Sequence, residues 1–344
     1  MYKKCIYLKH MIITLLKQKR KGNTMNTRYI FAFLLTLSLM WIITPQLIKL
    51  ALKIDFVEKP KLNDRKIHKE SKPYLASIGM FFTFWITILI FIRDFDIKII
   101  SMFISSFLIF GIGIIDDSYK IKGKDLKALP KMTVQVFACV IIYIANIRFV
   151  GFIEPFNNSY IFLPNWLQFI LTVTWLFGVT TVINFSDGLD GLAGGISCIS
   201  SGTLFLVALA KGSEIPALMS IMLVGICLGY LKFNKYPSKI LMGDSGATFL
   251  GFMLAVISLE GAFKQATIIS IFIPILALGV PIFDNIFVVF KRIREGRPIY
   301  VGDTSQIHFR LIAEGLNQKQ TVRFLYLLSV CSSLFAIIIV LLQV

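Results

Sequence analysis

NWLQFILTVTWLFGVTTVINFSDGLDGLAGGISCISSGTLFLVALA fills residues 165–210 of the chain. Two apolar runs, 165–184 and 190–210, flank a polar knot, Asn184-Phe185-Ser186-Asp187-Gly188-Leu189-Asp190-Gly191. Each run has about the twenty residues that an α-helix needs to cross the hydrocarbon core of a bilayer. Neither has the short alternation of a membrane β-strand. The knot between them concentrates carboxylate and amide chemistry where two spans would meet water. The same unit recurs outward in both directions. Apolar runs lie near 29–52, 75–92, 98–115, 132–148, 215–231, 246–263, 268–290 and 323–344. The expected fold is therefore all-α, a polytopic membrane protein with about ten transmembrane helices.

Composition agrees. Of 344 residues, 56% are hydrophobic and only 16% charged, with mean hydropathy +0.76. A soluble domain carries about a quarter charged residues. The net charge of +17 would suggest nucleic acid in a soluble protein. Between membrane spans it reads instead as loop bias toward anionic lipid, so membrane lipid is the expected partner and no nucleic acid is. Cys139, Cys198, Cys227 and Cys331 fall in apolar runs and Cys5 in the N-terminal stretch, without zinc or redox spacing. No soluble domain, low-complexity tract or repeat is visible.

Lysine and arginine set the orientation. Segments 53–74, 116–131, 232–245 and 291–322 hold 7, 5, 3 and 6 basic residues. The loops on the other side share Arg93, Lys98, Arg148, Lys211 and Lys264. The first set is expected to be cytoplasmic, with both termini outward. Residues 1–28 run against this, with eight basic residues before the first span. Met25-Asn26-Thr27-Arg28 reads as an ordinary start before an apolar run. Residues 1–24 are thus an N-terminal extension, either not translated or laid on the membrane surface through 7–16; the charge sign favours Met25. Residues 25–344 form a single membrane domain.

Five polar segments, 55–73, 116–120, 184–191, 243–246 and 303–310, then fall on one side of the bilayer. Asp116 and Asp117 repel each other unless a cation compensates, which makes them candidates for a base, a metal ligand, or both. Lys120, Lys122, Lys124, Lys127 and Lys131 follow and have the charge to hold phosphates. Asn184, Asp187 and Asp190, at i, i+3 and i+6, would form nearly one stripe on a helix. Gly188 and Gly191 permit close approach. Asp244 opens a span in Gly243-Asp244-Ser245-Gly246, where the helix N-terminus favours an anion. A carboxylate there could hold Mg²⁺ against a diphosphate, since magnesium takes few protein ligands. His308 and Arg310 follow Asp303 in the last polar loop, and Asp284 within a span needs a partner.

These motifs resemble, in order and spacing from about Arg28 to Val344, the polyprenyl-phosphate N-acetylhexosamine-1-phosphate transferases. Arg65-Lys66-Ile67-His68 followed by Lys72-Pro73 resembles the N-acetylglucosamine-1-phosphate branch. The resemblance implies a transfer of sugar-1-phosphate from a UDP-N-acetylhexosamine to undecaprenyl phosphate. The products would be a lipid-linked diphosphate sugar and UMP, with Mg²⁺ required. It implies a bacterial plasma-membrane enzyme with a cytoplasmic-face active site, and allows a homodimer. By motif position, Asn184 and Asp244 would contact Mg²⁺, and Asp187 would support that site. Asp116 or Asp117 would activate or orient the lipid phosphate. Lys131 and Lys124 would contact phosphate, Asp190 would lie near uracil, and His308 and Arg310 would bind the diphosphate. Arg65 and His68 join the expected substrate-binding set.

The chain departs from the family pattern at two places. The usual Asp-Arg-Ser-His-Leu-His-His-Arg reads Asp303-Thr304-Ser305-Gln306-Ile307-His308-Phe309-Arg310. A usual Gly-Gly reads Ala76-Ser77. Both regions are expected at the sugar-phosphate, so the identity of the sugar stays open. Rival readings fit less well. An intramembrane aspartyl protease needs a Gly-x-Gly-Asp, and Leu241-Met242-Gly243-Asp244 lacks the first glycine. A transporter would place its charges near mid-membrane rather than at span ends. A CDP-alcohol phosphotransferase needs Ala-Arg where Ala193-Gly194 stands.

Overall fold

The computed structural model describes residues 2–58, 71–124, 126–154, 159–261, 268–297 and 304–342, with side chains from Thr27 onward and, in the segment opening at Ile268, from Phe272 onward. Among these, twelve helices and two small antiparallel sheets follow in order. Helices α1 (Tyr2–Lys53), α2 (Ala76–Phe91), α3 (Ile97–Ile121) and α4 (Ala128–Ile144) come first. Then come α5 (Asn165–Phe185), α6 (Leu192–Ala210), α7 (Glu214–Asn234) and α8 (Gly243–Gly261). The chain ends in α9 (Ile268–Ala277), α10 (Gly279–Arg294), α11 (Ile307–Ala313) and α12 (Gln318–Leu341). Six stretches, in α1, α3, α5, α6, α7 and α12, are long and apolar enough to cross a membrane. Their outer faces expose large apolar side chains such as Phe31, Ile104, Trp166 and Phe335, as expected of helices solvated by lipid.

Helix α8 is the axis of the bundle. It touches α2, α3, α5, α6 and α7, and every residue in it except Asp244 and Glu260 is buried. Its two charges therefore sit at its two ends, and each finds a partner on another helix. At the far end Glu260 accepts Lys98 Nζ at 2.8 Å. At the near end Asp244 enters the polar cluster described below. Helices α3 and α8 pass so close that a Cβ on Gly113 would lie 2.4 Å from Ser245 Cα. Buried hydroxyls on the spans, among them Thr36, Thr44, Thr87 and Thr180, donate to the carbonyl one turn back, which satisfies them without water.

One expectation is corrected. The run 268–290 is two helices, broken at Leu278. Pro281 cannot donate to the carbonyl of Ala277, and Ser200 Oγ donates to that carbonyl instead at 2.6 Å. The loop 149–164 contains a hairpin, β3 (Gly151–Ile153) paired with β4 (Tyr160–Phe162), at the end of the bundle toward which α4 leads. Helix α1 runs unbroken from Tyr2 to Lys53, through the extension and the first span. Near the polar end, β1 (Val57–Glu58) pairs with β2 (Lys72–Pro73).

Candidate active site

The polar end of α3 builds the first half of the site. This helix continues to Ile121 rather than stopping at 115, so Asp116 and Lys120 lie one turn apart on one face. Lys120 Nζ is 3.4 Å from Asp116 and 2.6 Å from Asp244. Lys131, at the start of α4, bridges the same two carboxylates, at 2.8 Å from Asp116 and in close contact with Asp244. Asn184 Nδ2, at the end of α5, donates to Asp244 at 3.4 Å. Two carboxylates and two ammoniums thus form a compact four-charge cluster, with an amide beside it.

Asp117 differs from its neighbour in kind. Its carboxylate accepts the backbone N–H of Asp244 at 2.8 Å, the N–H of Ser245 at 3.1 Å and the Ser245 hydroxyl at 2.5 Å. Ser245 Oγ is also 2.7 Å from Ser77 Oγ. The side chain is fully buried. An anion was expected at the N-terminus of α8, and the anion seated there is Asp117 itself, capping another helix end.

Asn184, Asp187 and Asp190 do not share a helical stripe, which corrects the sequence reading. Helix α5 ends at Phe185 and α6 opens at Leu192 behind Gly191, whose φ of +83° suits only glycine. The intervening turns send the two aspartates to different partners. Asp187 faces the cluster: burial, then the carboxylates Asp244, Asp117 and Glu58, push it up to about 8, against the pull of Lys120. Asp190 is buried with its oxygens spent on Lys72 Nζ at 3.0 Å, Ser238 N–H at 3.0 Å and Ser238 Oγ at 2.8 Å. It ties the knot to β2 and to the loop before α8.

The other expected residues divide. His308 is buried, and a Cβ on Gly188 would come within 2.1 Å of its Nε2, so the imidazole lies directly against the knot. Burial lowers it to about 4, leaving a neutral ring with Phe309 4.3 Å away between centroids. Arg310 is turned aside. It donates to Asp284 at 3.0 Å and lies 4.2 Å over the Phe287 ring, while Asp284 also accepts the Ile307 N–H at 2.9 Å. That arrangement supplies the partners Asp284 needs and docks α11 on α10. Lys124 is exposed on the turn beyond α3, outside the cluster. Arg65, His68 and Asp303 lie outside the described residues.

Sequence reasoning named Lys120 only as one of five lysines able to hold phosphate and did not single it out, because it ended the helix too early. An i, i+4 Asp–Lys pair in a continuing α3 is the signal that finds it. Lys72 and Ser77 had no comparable signal, since each acts across more than a hundred residues.

Oxygen donors and divalent-cation chemistry agree here. Asp244 and Asn184 stand side by side, with the amide Nδ2 turned to the carboxylate, and a carboxylate and an amide oxygen are the kinds of hard donor that Mg²⁺ takes. Among the described residues, no three His, Cys, Asp or Glu side chains form a closed metal cage. That donor set suits a cation such as Mg²⁺, which draws most of its ligands from water and substrate phosphate.

Comparison with known proteins places this arrangement in a context. Residues 99–262, which carry the cluster and the knot, match the profile described as Glycosyl transferase family 4. The chain is 35% identical over 312 residues to the "Probable undecaprenyl-phosphate N-acetylglucosaminyl 1-phosphate transferase" of Bacillus subtilis (strain 168), covering 91% of this chain and 85% of that one. It is 29% identical over 303 residues to a "Phospho-N-acetylmuramoyl-pentapeptide-transferase" of Prochlorococcus marinus, covering 84% of each. It is 24% identical over 328 residues to the "Undecaprenyl-phosphate alpha-N-acetylglucosaminyl 1-phosphate transferase" of Yersinia pestis, covering 92% of this chain and 83% of that one.

Proposed function

The chain belongs to glycosyl transferase family 4, and from that premise we propose that it moves N-acetylglucosamine-1-phosphate from UDP-N-acetylglucosamine to undecaprenyl phosphate. The product is a lipid-linked diphosphate sugar that starts a cell-wall or surface glycan. An oxygen of the lipid phosphate attacks the β-phosphorus of the donor. The bond from that phosphorus to the bridging oxygen breaks, and UMP leaves with the electron pair. The acceptor phosphate is already ionised near neutral pH, so positioning and charge neutralisation carry most of the task.

The observation that supports this best is the four-charge cluster of Asp116, Lys120, Lys131 and Asp244 on three separate helices. Lys120 and Lys131 each hold two carboxylates, and each can exchange one of them for a phosphate oxygen without losing its charge partner. Asp244 and Asn184 are the residues that would hold Mg²⁺, with Asp187 behind them. Bound there, the cation would neutralise the diphosphate charge that develops as UMP leaves. Asp116, held by both lysines, orients the acceptor phosphate. Asp117 positions Asp244 by fixing the first turn of α8. His308 offers a neutral N–H beside the knot. The site faces the cytoplasm, on the lysine-rich side of a multi-pass protein of the bacterial plasma membrane with about ten crossings.

The test is UMP release by purified protein with undecaprenyl phosphate and a panel of UDP-sugars. Turnover that needs both substrates, is abolished by EDTA and is restored by Mg²⁺ is the expected result. No UMP from any UDP-N-acetylhexosamine would overturn the reading.

A further inference from the structure

A cavity of about 290 Å³ opens behind the knot, between the end of α7 and the start of α12. It is separate from the four-charge cluster. Its wall includes Leu231 and Val322, and its cationic lining is Lys235, Lys319 and Arg323, all exposed. Lys319 Nζ sits 5.6 Å from the ring centroid of Tyr236, which also lines the space. The one lining carboxylate, Asp190, is already paired with Lys72 and Ser238. It therefore leaves the positive potential of the other three largely uncompensated.

A second observation points to a ligand. Gln318 lines the cavity at 8% exposure, and neither its amide nitrogen nor its amide oxygen has a hydrogen-bond partner. A buried amide left unsatisfied at both ends costs free energy comparable to its lost hydrogen bonds. A turn of the Gln318 side chain toward the cavity would bring its amide to a bound group as both donor and acceptor.

The surroundings say how such a group arrives. Both α7 and α12 are long and apolar enough to cross a membrane. One turn deeper along the same face of α12, Leu327 and Val330 are exposed, as is Leu228 on α7. A molecule with its anionic head among Lys235, Lys319 and Arg323 would lay its chains along these residues. Basic pockets between membrane helices have this form when they hold lipid head groups.

We propose that this cavity is a binding site for the phosphate head of an anionic phospholipid, distinct from the site of transfer. The hydroxylated head of phosphatidylglycerol matches that amide, with phosphate oxygens as acceptors and hydroxyls as donors. Through Tyr326, whose hydroxyl donates to the Gly191 carbonyl at 2.5 Å, the occupied cavity abuts the knot itself.

Native mass spectrometry of the detergent-solubilised full chain, titrated with palmitoyl-oleoyl phosphatidylglycerol or phosphatidylcholine, tests this. The wild type is expected to retain one phosphatidylglycerol about tenfold more tightly than phosphatidylcholine. That preference should vanish in the combined Lys235→Ala, Lys319→Ala, Arg323→Ala variant, and Gln318→Leu should weaken it. Lys235→Arg with Arg323→Lys, which keeps the charge, should preserve it. Equal retention of the two lipids by the wild type overturns the proposal, and so does an unchanged preference in the triple variant. If inorganic phosphate raises the melting temperature of the wild type but not of the triple variant, and no lipid preference is seen, the site takes free phosphate and the lipid assignment fails. Should the triple variant not fold, Arg323→Ala alone in the same titration decides between these outcomes.

Discussion

Two adjacent carboxylates, Asp116 and Asp117, have opposite occupations. Asp116 shares two lysines with Asp244, and Asp117 caps the helix that carries Asp244. Their substitutions should therefore separate chemistry from stability. Asp244→Asn keeps the shape of the cluster but removes the charge, and is expected to cut UMP release by about 100-fold or more with little change in melting temperature. Asp117→Ala leaves two backbone N–H groups and a serine hydroxyl without their acceptor, and should cost about 2 kcal/mol as well as activity. Melting and UMP release measured on the same samples check both. An Asp117→Ala protein that melts with the wild type would refute the capping role. His308 carries a pH signature of its own. Unfolded, an imidazole takes its proton near pH 6.5; buried here it does so only at about 4. Between those values the unfolded chain alone binds the proton, so the stability present above pH 6.5 is lost as pH falls toward 4. The loss is about 3 kcal/mol at most. His308→Gln should flatten this part of the melting-temperature profile between pH 7 and 4. Superimposable profiles for the two proteins would count against a buried neutral imidazole.

At the scale of elements, the pairing of α3 with α8 decides where the cluster lies. The two helices run antiparallel and are tied at both ends, by Lys98–Glu260 at one and the Asp117 cap at the other. Gly113 permits the contact between them. In Gly113→Ala the new methyl would stand 2.4 Å from Ser245 Cα, a backbone atom that no rotamer change can move. The helices must separate, at a cost of about 1–3 kcal/mol, and Asp116 must part from Asp244 with them. Gly111, on the same helix, meets nothing within 4 Å. Gly111→Ala should therefore be neutral or stabilising, by up to about 1 kcal/mol from helix propensity alone. Circular-dichroism melting and UMP release should both fall for Gly113→Ala and for neither in Gly111→Ala. Equal behaviour of the pair would mean that this contact does not set the site.

The whole molecule has an electrostatic polarity. The polar end holds the four-charge cluster, the capped start of α8 and most of the loop lysines, whereas the opposite end holds the β3–β4 hairpin and the Lys98–Glu260 pair. The proposed orientation, with the cluster on the cytoplasmic side, rests on the positive-inside rule. Single cysteines in a background with the native cysteines replaced provide the test. Asp94→Cys and Glu214→Cys should react with a membrane-impermeant maleimide in intact cells. Lys122→Cys and Lys239→Cys should react only after permeabilisation. The reverse pattern would put the site outside the cell.

Run length and composition were enough to determine a helical membrane architecture, because the requirement to satisfy every backbone group in lipid leaves few alternatives to a helix of bilayer length. The polar segments between runs were equally legible, since carboxylates and amides stand out against apolar sequence. Which of them meet was not. Asp116 and Asp117 are neighbours in sequence but point about 100° apart around α3, and only the crossing of α3 over α8 assigns one to the lysines and the other to the cap. Lys120 rather than Lys124 enters the cluster because α3 continues past the last apolar residue, held by contacts to α8 that no local pattern records. Asp187 and Asp190 part company because α5 ends at Phe185 and residues 186–191 run as turns rather than helix, which the three-residue spacing conceals. Periodicity is a property of one segment. The site is made of faces from several segments, and their meeting depends on packing between helices far apart in the chain.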